Sequence, residues 1–543
     1  MKTLVNNRVI LAAVNARFTH SNLAILYLRQ YAAGFGYSLD VREFTIQQQA
    51  EDIALNLASE NPGAVAFSVY IWNSEIIQTI ILHLKRLVPE CRIILGGPEV
   101  SYNYDLWMKN RCIDFIVTGR GEEGFRRLLE RGVSWDGPIV SVPNPHFSRI
   151  PMPYIESDFY RLINRYVYYE SSRGCPFRCS YCLSSLADQS LELRDLDQVV
   201  REIEYIAQHR PHTVKFVDRS FNASKEHARA IWRFCIERFG GAGIRFHFEL
   251  HPAHMDDEDF SILEKAPAGI FRFEIGLQST NQETLVAIGR VQEWERAREN
   301  ISRLVAMKKF HTHVDLIAGL PFEDLASAAT SFNNAYVLGP DYLQLGFLKV
   351  LPGTEIARFA PEYGIEYGVR PPYRVVKTNW LSGDEMAMLD GVARMVNVLF
   401  NGGGFPLTLG ELEFLHDSPF HLYRNLYLHF FKQEELRPHK DWVRCGSLII
   451  DFVEQKFPAD AGFFTDCLRW DWCARHAPRR YPTFLRSGIA RKSRKDVWLH
   501  KKNQNPSCSG FKKNQNNSFL FEPETERFRE KYMNGQETAV FSG

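Results

Sequence analysis

The chain has 543 residues, several times the usual length of one domain, so two to four domains with their own cores are expected. Apolar residues make up 45% and charged residues 24% of the sequence, an ordinary globular mixture that argues against a fibrous or mainly disordered protein. The net charge of +1 gives no overall field that would attract nucleic acid or an anionic membrane.

The first residues and the hydropathy favour a cytoplasmic protein. The initial apolar stretch keeps Arg8, Asn15 and Arg17 and lacks a small-residue cleavage site, so we interpret it as a strand rather than a signal peptide. No run of about 18 apolar residues occurs, so no membrane span is expected. The ten cysteines are scattered apart from one tight cluster, which favours a reducing compartment over a disulfide framework.

Short β-rich runs alternate with helical stretches over residues 1–135. Strands are predicted at 9–14, 64–70, 92–97 and 114–119, and helices at 22–33 and 76–87. This alternation is typical of a parallel sheet with helices on both faces. The sequence therefore predicts an N-terminal doubly wound α/β domain, followed by a proline-rich linker at 136–165.

A second series of strands and helices follows the linker. Strands are predicted at 166–172, 213–218, 244–250, 270–277, 313–320 and 342–350. Six strands that each precede a helical segment indicate a partial (β/α) barrel of the TIM type over 166–352. Helical patterns then dominate residues 353–478, which are predicted to be a mainly helical C-terminal domain.

Residues 479–543 are predicted to be a flexible basic tail. The stretch 479–513 holds eleven Lys or Arg residues against one Asp, and the pentapeptide KKNQN occurs twice, at 501–505 and 512–516. Such biased composition cannot bury enough apolar surface to fold alone. The stretch is interpreted as solvated, with a nucleic-acid-binding arm as the alternative.

The cysteine cluster is a C-x3-C-x2-C triad formed by Cys175, Cys179 and Cys182, placed between the first barrel strand and its helix. Thiolates are the usual ligands of iron–sulfur clusters, which normally receive four. Three ligands leave one iron open to a small molecule, as catalytic metal sites keep an open position. A zinc site is the alternative, but the usual second C-x2-C pair does not occur downstream.

The triad, with the aromatic Tyr181 before its last cysteine, resembles the signature of the radical S-adenosylmethionine (SAM) superfamily. The resemblance implies a four-iron, four-sulfur (4Fe-4S) metal centre whose open iron is chelated by the amino and carboxylate groups of SAM. When an external electron donor such as a flavodoxin or ferredoxin reduces the cluster, SAM is cleaved to a 5′-deoxyadenosyl radical that removes a hydrogen atom from the substrate. The residues that the resemblance assigns to SAM are Tyr181, Asp218, Arg219, Ser220, Glu249, Glu274, Gln278, Ser279, Gly319 and Pro321.

The N-terminal domain, with GGPEVSYN at 96–103 and TGRGEEGF at 118–125, resembles the cobalamin-binding domain of one branch of this superfamily. A flat macrocycle above the strand ends requires loops without bulky side chains, which glycines supply. The alternative is that these glycines only close strand-to-helix turns. The residues that the resemblance assigns to cobalamin are Asn15, His20, Ser68, Tyr70, Asn73, Gly96, Gly97, Glu99, Gly119 and Gly121.

Two departures from that family pattern stand out. Cobalamin domains that ligate cobalt carry D-x-H-x-x-G after the first strand, whereas this chain has NARFTHSNLA, with His20 but neither the aspartate nor the glycine. The resemblance therefore implies cobalamin bound with its own base displaced and His20 as a hydrogen-bonding loop residue, with ligation of cobalt by His20 as the alternative. The second departure is Arg120 in GRGEE, where the family more often has GEGE. The helical C-terminal extension resembles one of uncharacterised function, of the DUF4080 type.

These features lead to one main hypothesis and two alternatives. The main hypothesis is a radical SAM enzyme that uses cobalamin to methylate an unactivated carbon of a small molecule or peptide. A cobalamin-dependent rearrangement or cyclisation is one alternative, and an RNA-modifying or RNA-binding iron–sulfur protein is the other. Nucleic acid is not the expected partner, because the cysteines that could hold a second cluster, Cys445, Cys467, Cys473 and Cys508, are too widely spaced.

Overall fold

The computed structural model describes residues 4, 6–185, 190–432, 441–476, 481–486, 518–521, 523–534 and 539–542. Two units divide the chain, one of residues 1–331, 338–340 and 346–383, the other of residues 332–337, 341–345 and 384–543. Most of the basic stretch 479–513, both KKNQN repeats and Cys508 lie outside the described residues. No helix within the described ranges has the length and apolar character needed to cross a bilayer.

The N-terminal part of the first unit is a six-stranded parallel sheet in the order β2-β1-β3-β4-β5-β6. Its strands are β1 (Arg8–Asn15), β2 (Ser38–Thr45), β3 (Ala64–Ser68), β4 (Arg92–Gly96), β5 (Phe115–Val117) and β6 (Ile139–Val140). The accompanying helices are α1 (Leu23–Tyr31), α2 (Ala50–Ser59), α3 (Ser74–Leu87), α4 (Pro98–Ser101), α5 (Tyr104–Trp107), α6 (Glu122–Glu130) and, after β6, α7 (Glu156–Arg161). The predicted doubly wound fold is confirmed.

The strand order determines where this sheet binds a ligand. The chain leaves β1 for β2 on one side and leaves β3 for β4 on the other, so the switch point lies between β1 and β3. Ligands of open α/β sheets bind at the carboxyl ends of the strands at this point. The relevant residues are therefore those that follow Asn15 and Ser68.

The second sheet of the first unit carries the cysteine triad. Its order is β14-β13-β12-β11-β10-β7, and the pairs from β7 to β13 are parallel. The strands, with the short pair β8 and β9, are β7 (Val167–Tyr169), β8 (Ser172–Arg173), β9 (Glu192–Leu193), β10 (Thr213–Phe216), β11 (Arg245–Leu250), β12 (Phe271–Gln278), β13 (His311–Ala318) and β14 (Tyr342–Phe347). The helices are α8 (Leu196–Gln208), α9 (Lys225–Phe239), α10 (Asp257–Leu263), α11 (Gln282–Ala287), α12 (Trp294–Ala306) and α13 (Leu325–Val337). This is the predicted partial barrel.

Side chains alternate strictly along the central barrel strands. In β11 and β12, buried aromatic residues such as Phe248 and Phe273 pack on the helical side, where Trp232 of α9 joins them. The intervening positions, among them Glu249 and Glu274, are polar and only partly buried. Because alternate residues of a strand face opposite sides, the polar set lines the interior of the partial barrel.

The second unit is mainly helical, as predicted. After α14 (Glu355–Phe359), β15 (Glu366–Tyr367) and β16 (Val375–Lys377), the chain enters the helices α15 (Gly383–Met395), α16 (Pro406–Glu413), α17 (Pro419–Lys432), α18 (Trp442–Lys456) and α19 (Ala461–Cys473). A π-helical turn over Val396–Phe400 extends α15. The last elements are β17 (Ser518–Phe521), α20 (Glu526–Met533) and β18 (Ala539–Ser542).

These last elements correct the predicted tail, whose boundaries at 479–543 include folded residues. Phe528 of α20 has no exposed surface and packs against Phe463 and Phe521. The buried carboxylate of Asp466 accepts hydrogen bonds from the backbone N–H of Thr525 (2.8 Å) and from its hydroxyl (2.7 Å), which anchors the residue that precedes α20. The basic composition upstream hid this short folded segment from sequence analysis.

Candidate functional site

The three predicted cluster ligands lie on one loop that follows β8. Cys179 is buried, whereas Cys175 and Cys182 are partly exposed, and none of the three is in a disulfide. The Cys182 backbone N–H donates to the Cys179 carbonyl (3.0 Å), which closes the loop on itself, and Ser180 N–H donates to the Ile288 carbonyl (2.9 Å), which anchors it. Three thiols on one anchored loop are the donor set that an open-sited iron–sulfur cluster requires.

A segment distant in sequence packs directly on this loop and was not predicted. A guanidinium nitrogen of Arg290 lies 3.8 Å from Cys179 Sγ, and Arg290 Nε donates to Gln292 (3.1 Å). Gly289 has φ +66°, and a Cβ there would lie 2.7 Å from the Arg178 carbonyl oxygen. The close approach therefore requires glycine, and it brings Arg290 to the cluster ligands.

Two histidine side chains, His251 and His254, pack against Phe177 of the cysteine loop. The ring of Phe177 stacks on His251 at 4.4 Å and meets His254 edge-on at 4.8 Å. Burial lowers the pKa of His251 to about 2, so its ring is neutral. Neither ring nitrogen of His251 has a hydrogen-bond partner among the described residues. Sequence analysis did not single out this pair, which no local motif marks.

Asp218, assigned to SAM, instead fastens the start of the cysteine loop. Its carboxylate accepts hydrogen bonds from the hydroxyls of Ser171 and Ser172, both at 2.6 Å, and from Ser171 N–H at 3.1 Å. Burial raises the pKa of Asp218 to about 6 despite these bonds. The side chain is 1% exposed and holds the backbone before Cys175, so its predicted contact with SAM is not supported.

The next two predicted residues differ in their surroundings: Ser220 lies beside the cysteine loop, whereas Arg219 is exposed. Ser220 Oγ lies 3.9 Å from Cys175 Sγ. The Arg219 side chain is exposed and makes no hydrogen bond with a described residue.

The neighbours Gln278 and Ser279 at the end of β12 differ from each other in accessibility. Ser279 has no exposed surface, and its hydroxyl donates to Glu323 Oε1 at 2.5 Å, so its predicted contact with SAM is not supported. Burial raises the pKa of Glu323 to about 7. Gln278 adopts φ +70° beside a bulge, and its partly exposed side chain lies over Gly276.

Glu249 and Glu274 belong to a titratable cluster inside the barrel. Glu274 accepts from Lys215 Nζ (3.3 Å) and pairs with His247 Nε2 (3.0 Å). Burial opposes ionisation of Glu274, but His247 and Lys215 hold its pKa down at about 2. Burial and the Glu274 charge raise the pKa of Glu249 to about 7. The cluster continues along β13 with His313 and Asp315, 3.1 Å apart.

The remaining residues assigned to SAM border the loop or follow β13. Tyr181 is partly buried beside Cys179, and burial raises its pKa. Gly319 has φ +86°, a conformation that favours glycine, and Pro321 is buried just beyond it. These positions agree with a backbone that passes close to a ligand at the strand ends.

In the N-terminal domain, Asn15, Ser68 and Asn73 brace the switch point. The Asn73 amide donates to the carbonyls of Val14 (3.0 Å) and Ser68 (3.1 Å), and its oxygen accepts from Tyr70 N–H (2.8 Å). Asn15 donates to Glu43 (3.0 Å), and the Ser68 hydroxyl accepts from Asn22 (2.7 Å). These three side chains, assigned to cobalamin, are thus engaged by the fold itself.

His20 faces the barrel. Its Nδ1 lies 2.5 Å from the hydroxyl of Tyr168 on β7, and Tyr166 meets the ring edge-on at 5.7 Å. Burial, with smaller effects of Lys215 and Arg17, lowers the pKa of His20. The contact engages only Nδ1, so the expectation that cobalt receives no ligand from His20 stays a prediction.

The glycines assigned to cobalamin differ in whether the backbone itself requires glycine at the position. Gly97 has φ +110°, and a Cβ there would lie 2.5 Å from the Val69 carbonyl oxygen, so the turn itself requires glycine. A Cβ on Gly96 would make only an ordinary contact, 3.6 Å from the Val117 carbonyl oxygen. Gly119 (φ +75°) and Gly121 (φ +91°) also adopt left-handed conformations.

Two further predicted residues lie beside these glycines. Glu99 is buried and accepts a hydrogen bond from the Tyr373 hydroxyl (2.5 Å), while its other oxygen has no partner among the described residues. Burial raises the pKa of Glu99. Tyr70 stacks on Trp72 with ring centroids 4.3 Å apart, and Trp72 is 46% exposed. This flat aromatic surface near the switch point suits a planar macrocycle.

Ion pairs join the N-terminal domain to the cysteine loop within the first unit. Arg173, two residues before Cys175, donates to Glu122 at the start of α6 (2.8 Å) and also pairs with Glu170. Arg120, the departure noted in the sequence, pairs with Glu192 of β9 at 2.5 Å. The loops that would carry the two cofactors are therefore bonded to one another.

Three family models match the chain in succession. The B12 binding domain matches residues 9–129, the Radical SAM superfamily matches residues 169–332, and the protein of unknown function DUF4080 matches residues 361–540. The chain therefore combines a B12 binding domain, a Radical SAM domain and a DUF4080 region, in the order that the resemblance implied. Its cofactors are accordingly a 4Fe-4S cluster, SAM and cobalamin, as predicted.

Curated relatives cover part of the chain. It is 26% identical over 448 residues to the 2-(S-pantetheinyl)-carbapenam-3-carboxylate methyltransferase of Streptantibioticus cattleyicolor, a match that covers 73% of this chain and 65% of that one. It is 24% identical to the cobalamin-dependent radical SAM methyltransferase TokK of Streptomyces tokunonensis, over 60% of this chain and 51% of the relative. The matches thus span less than two thirds of the length of these relatives.

A solved structure shows the same fold. The cobalamin-dependent SAM radical enzyme OxsB, with aqua-cobalamin and SAM bound, superposes with a TM-score of 0.59 at 13% sequence identity. The superposition covers 84% of this chain and 80% of that one.

Proposed function

We propose that this protein is a cobalamin-dependent radical SAM methyltransferase that methylates an unactivated carbon of a small molecule or peptide. The observation that carries the proposal is the bonded contact between the two cofactor-bearing regions, Arg173 with Glu122 and His20 with Tyr168. A substrate carbon must reach both cofactors, which requires the regions to share one cavity. The names of the two methyltransferase relatives support the reaction class.

When bound, the reduced cluster supplies the electron that cleaves SAM, and cobalamin carries the methyl group to the substrate. Each methylation consumes two SAM molecules and two electrons from an external reductant. One SAM yields methionine and 5′-deoxyadenosine, which takes up the substrate hydrogen. The other SAM gives its methyl group and leaves as S-adenosylhomocysteine.

Some side chains bind the cofactors in this proposal, and others hold the backbone that presents them. Cys175, Cys179 and Cys182 are the cluster ligands in this proposal. The groups that remain accessible to SAM are Tyr181, Ser220, Glu249, Gln278 and the backbone at Gly319. Tyr70, His20 and the glycine loops border the cobalamin. Asp218, Ser279 and Asn73 hold the backbone that presents these groups.

The external reductant proposed is a flavodoxin or ferredoxin of the cytoplasm. The nine described cysteines are all outside disulfides, which suits a reducing compartment. The barrel interior, lined by Glu249, Glu274 and His313, offers a polar site for a substrate with hydrogen-bonding groups.

The test is anaerobic reconstitution followed by product analysis. We expect about four irons and four sulfides per chain, and 5′-deoxyadenosine, methionine and S-adenosylhomocysteine after reduction in the presence of cobalamin and extract of the source cell. SAM with a deuterated methyl group should label one product, which mass spectrometry identifies. The control is the variant with Cys175, Cys179 and Cys182 all changed to Ala, which should bind cobalamin but form no 5′-deoxyadenosine.

Two outcomes would contradict the proposal. Stoichiometric zinc without sulfide would mean that the protein holds no iron–sulfur cluster and therefore cannot cleave SAM to a radical. Formation of 5′-deoxyadenosine without S-adenosylhomocysteine or a labelled product would favour a rearrangement or cyclisation, the alternative in which no methyl group is transferred.

A further inference from the structure

Arg290 is a buried cation beside the cysteine loop that no carboxylate neutralises in the described part of the chain. Four arginines are buried among the described residues, namely Arg194, Arg229, Arg290 and Arg469. Each of the other three is paired with at least one carboxylate, Arg194 with Glu202 (3.2 Å), Arg229 with Asp259 (2.7 Å) and Arg469 with Glu524 (3.0 Å). Buried charges in proteins are normally paired in this way, so Arg290 is the exception among the four.

The three nitrogens of the Arg290 guanidinium each make a different contact. Nε donates to the side-chain oxygen of Gln292 at 3.1 Å, and Nη2 donates to the Gly276 carbonyl. Nη1 lies 3.8 Å from Cys179 Sγ, a hydrogen-bonding distance for sulfur. Gln292 is itself fixed, because its amide donates to the Leu277 carbonyl at 3.0 Å. The two neutral oxygens therefore determine the orientation in which the third nitrogen meets the thiol.

The backbone around Arg290 is anchored at both ends of the contact. Arg290 N–H donates to the Leu285 carbonyl at 2.8 Å, which ties this segment to the end of α11. The Ile288 carbonyl accepts from Ser180 N–H at 2.9 Å, directly beside Cys179. The meeting of the guanidinium with the thiol thus follows from two bonded backbone segments and not only from the rotamer of one side chain.

A buried guanidinium without a counter-charge favours an anion in contact with it. Removal of a charge from water costs free energy unless hydrogen bonds and an opposite charge replace the water. The oxygens of Gln292 and Gly276 supply hydrogen bonds but no full negative charge. Cysteine binds iron as the thiolate, so Cys179 would supply that charge once it is a cluster ligand.

We propose that Arg290 donates a charge-assisted hydrogen bond to the Cys179 thiolate when the cluster is bound, and so raises the reduction potential of the cluster. Reduction adds one electron from the external donor and makes the cluster more negative, and a fixed positive charge stabilises that state more than the oxidised one. The guanidinium keeps its proton in both states. The inference rests on the proposed ligation by Cys179 and does not depend on methyl transfer.

A redox titration of the anaerobically reconstituted full-length protein, without SAM, tests the proposal. The electron paramagnetic resonance signal of the reduced cluster gives the midpoint potential, and only preparations with about four irons and four sulfides per chain are compared. In Arg290→Gln we expect the equilibrium constant for reduction to fall about tenfold, which lowers the midpoint potential by about 59 mV. Arg290→Lys keeps the charge but not the fork, so its potential should be intermediate. The matched control Arg298→Gln, at an exposed ion pair with Glu295, should titrate as the wild type.

Gln292→Leu decides the matter if Arg290→Gln does not assemble its cluster. This change removes the oxygen that orients Nε but leaves the charge, so the equilibrium constant for reduction should fall severalfold. An unchanged midpoint potential in Arg290→Gln, or in Gln292→Leu where the first variant lacks its cluster, would overturn the proposal. A role of Arg290 that is only structural would change the iron content and not the potential of fully loaded protein.

The carboxylate of SAM is the other anion that this guanidinium could meet. The Kd of SAM, measured by equilibrium dialysis, separates the two. An unchanged midpoint potential together with a tenfold weaker SAM affinity in Arg290→Gln would assign Arg290 to SAM and overturn its role at the cluster. Stoichiometric zinc without sulfide would contradict the proposed function as a whole, whereas an unchanged potential of an intact cluster contradicts this inference alone.

Discussion

The adjacent residues Gln278 and Ser279 at the end of β12 have different surroundings although the sequence presents them as one polar pair. Ser279 is buried between Glu323 and Ser331, with its hydroxyl 2.5 and 3.2 Å from them. It joins the end of β12 to the loop after β13 and to α13. Gln278 stays partly exposed, because its φ of +70° turns it over Gly276.

This difference predicts opposite effects of two alanine substitutions. Ser279→Ala should lower the free energy of unfolding by about 1–3 kcal/mol, because it leaves Glu323 with one hydroxyl partner fewer in a buried site. Its SAM affinity should be unchanged. Gln278→Ala should raise the Kd of SAM severalfold, with little change in unfolding. Denaturant unfolding and equilibrium dialysis check both, and the opposite assignment of effects would show that Ser279, not Gln278, contacts SAM.

For single residues, the sequence predicts which side chains lie at the strand ends but not whether each one faces a ligand or the protein interior. The cysteine triad is local, so its spacing alone indicates its chemistry. Asp218 and Ser279 occupy strand ends, where sequence analysis expects ligands, yet the fold uses their oxygens internally. Arg290 contacts Cys179 from 111 positions away. No local motif marks a contact that depends on how two loops meet in space.

Among the elements, the carboxyl end of β4 shows why a glycine motif is ambiguous. Gly96 and Gly97 are adjacent, and both fit a loop that must approach a macrocycle. The Val69 carbonyl oxygen would be 2.5 Å from a Cβ on Gly97, whereas a Cβ on Gly96 meets its nearest neighbour at 3.6 Å. The conformation φ +110° adds backbone strain to any substitution of Gly97.

The pair Gly97→Ala and Gly96→Ala therefore separates the demands of the fold from those of the cofactor. Gly97→Ala should destabilise the apo-protein by roughly 1–3 kcal/mol through strained backbone, whether or not cobalamin binds. Gly96→Ala should unfold as the wild type, so any loss of hydroxocobalamin binding in an absorbance titration reports the cofactor contact. Wild-type stability in Gly97→Ala would contradict the steric argument from Val69.

Element positions were predicted well where strands are buried. β1 is apolar from Val9 to Val14 and β3 from Ala64 to Phe67, because both faces of a parallel sheet are covered by helices. The strand β2 was missed because it is an edge strand with the mixed sequence SLDVREFT, and only two of its eight residues are buried. Its alternation is too weak to distinguish a strand from a polar loop.

For the molecule as a whole, the extent of the second unit is the main correction to the sequence analysis. The prediction ended the folded protein at residue 478, whereas the DUF4080 match continues to residue 540 and includes α20. Three sets of contacts hold α20: the hydrogen bonds of Asp466 with Thr525, the ion pair of Lys531 with Glu411 (2.7 Å), and the aromatic core around Phe528. Burial of Phe528 contributes most, because it removes a whole aromatic ring from water.

Truncation of that ring should therefore destabilise the second unit strongly. Phe528→Ala should lower its free energy of unfolding by about 3–5 kcal/mol, since Phe463, Trp470 and Phe521 would line the resulting cavity. The matched control is Phe414→Ala, a ring of the same type in the same unit that is 79% exposed. It should cost less than about 1 kcal/mol. Urea unfolding of the full-length variants, followed by tryptophan fluorescence, gives both values. Equal and small effects would mean that α20 adds nothing to the second unit, and that the flexible tail predicted from the sequence does begin near residue 479.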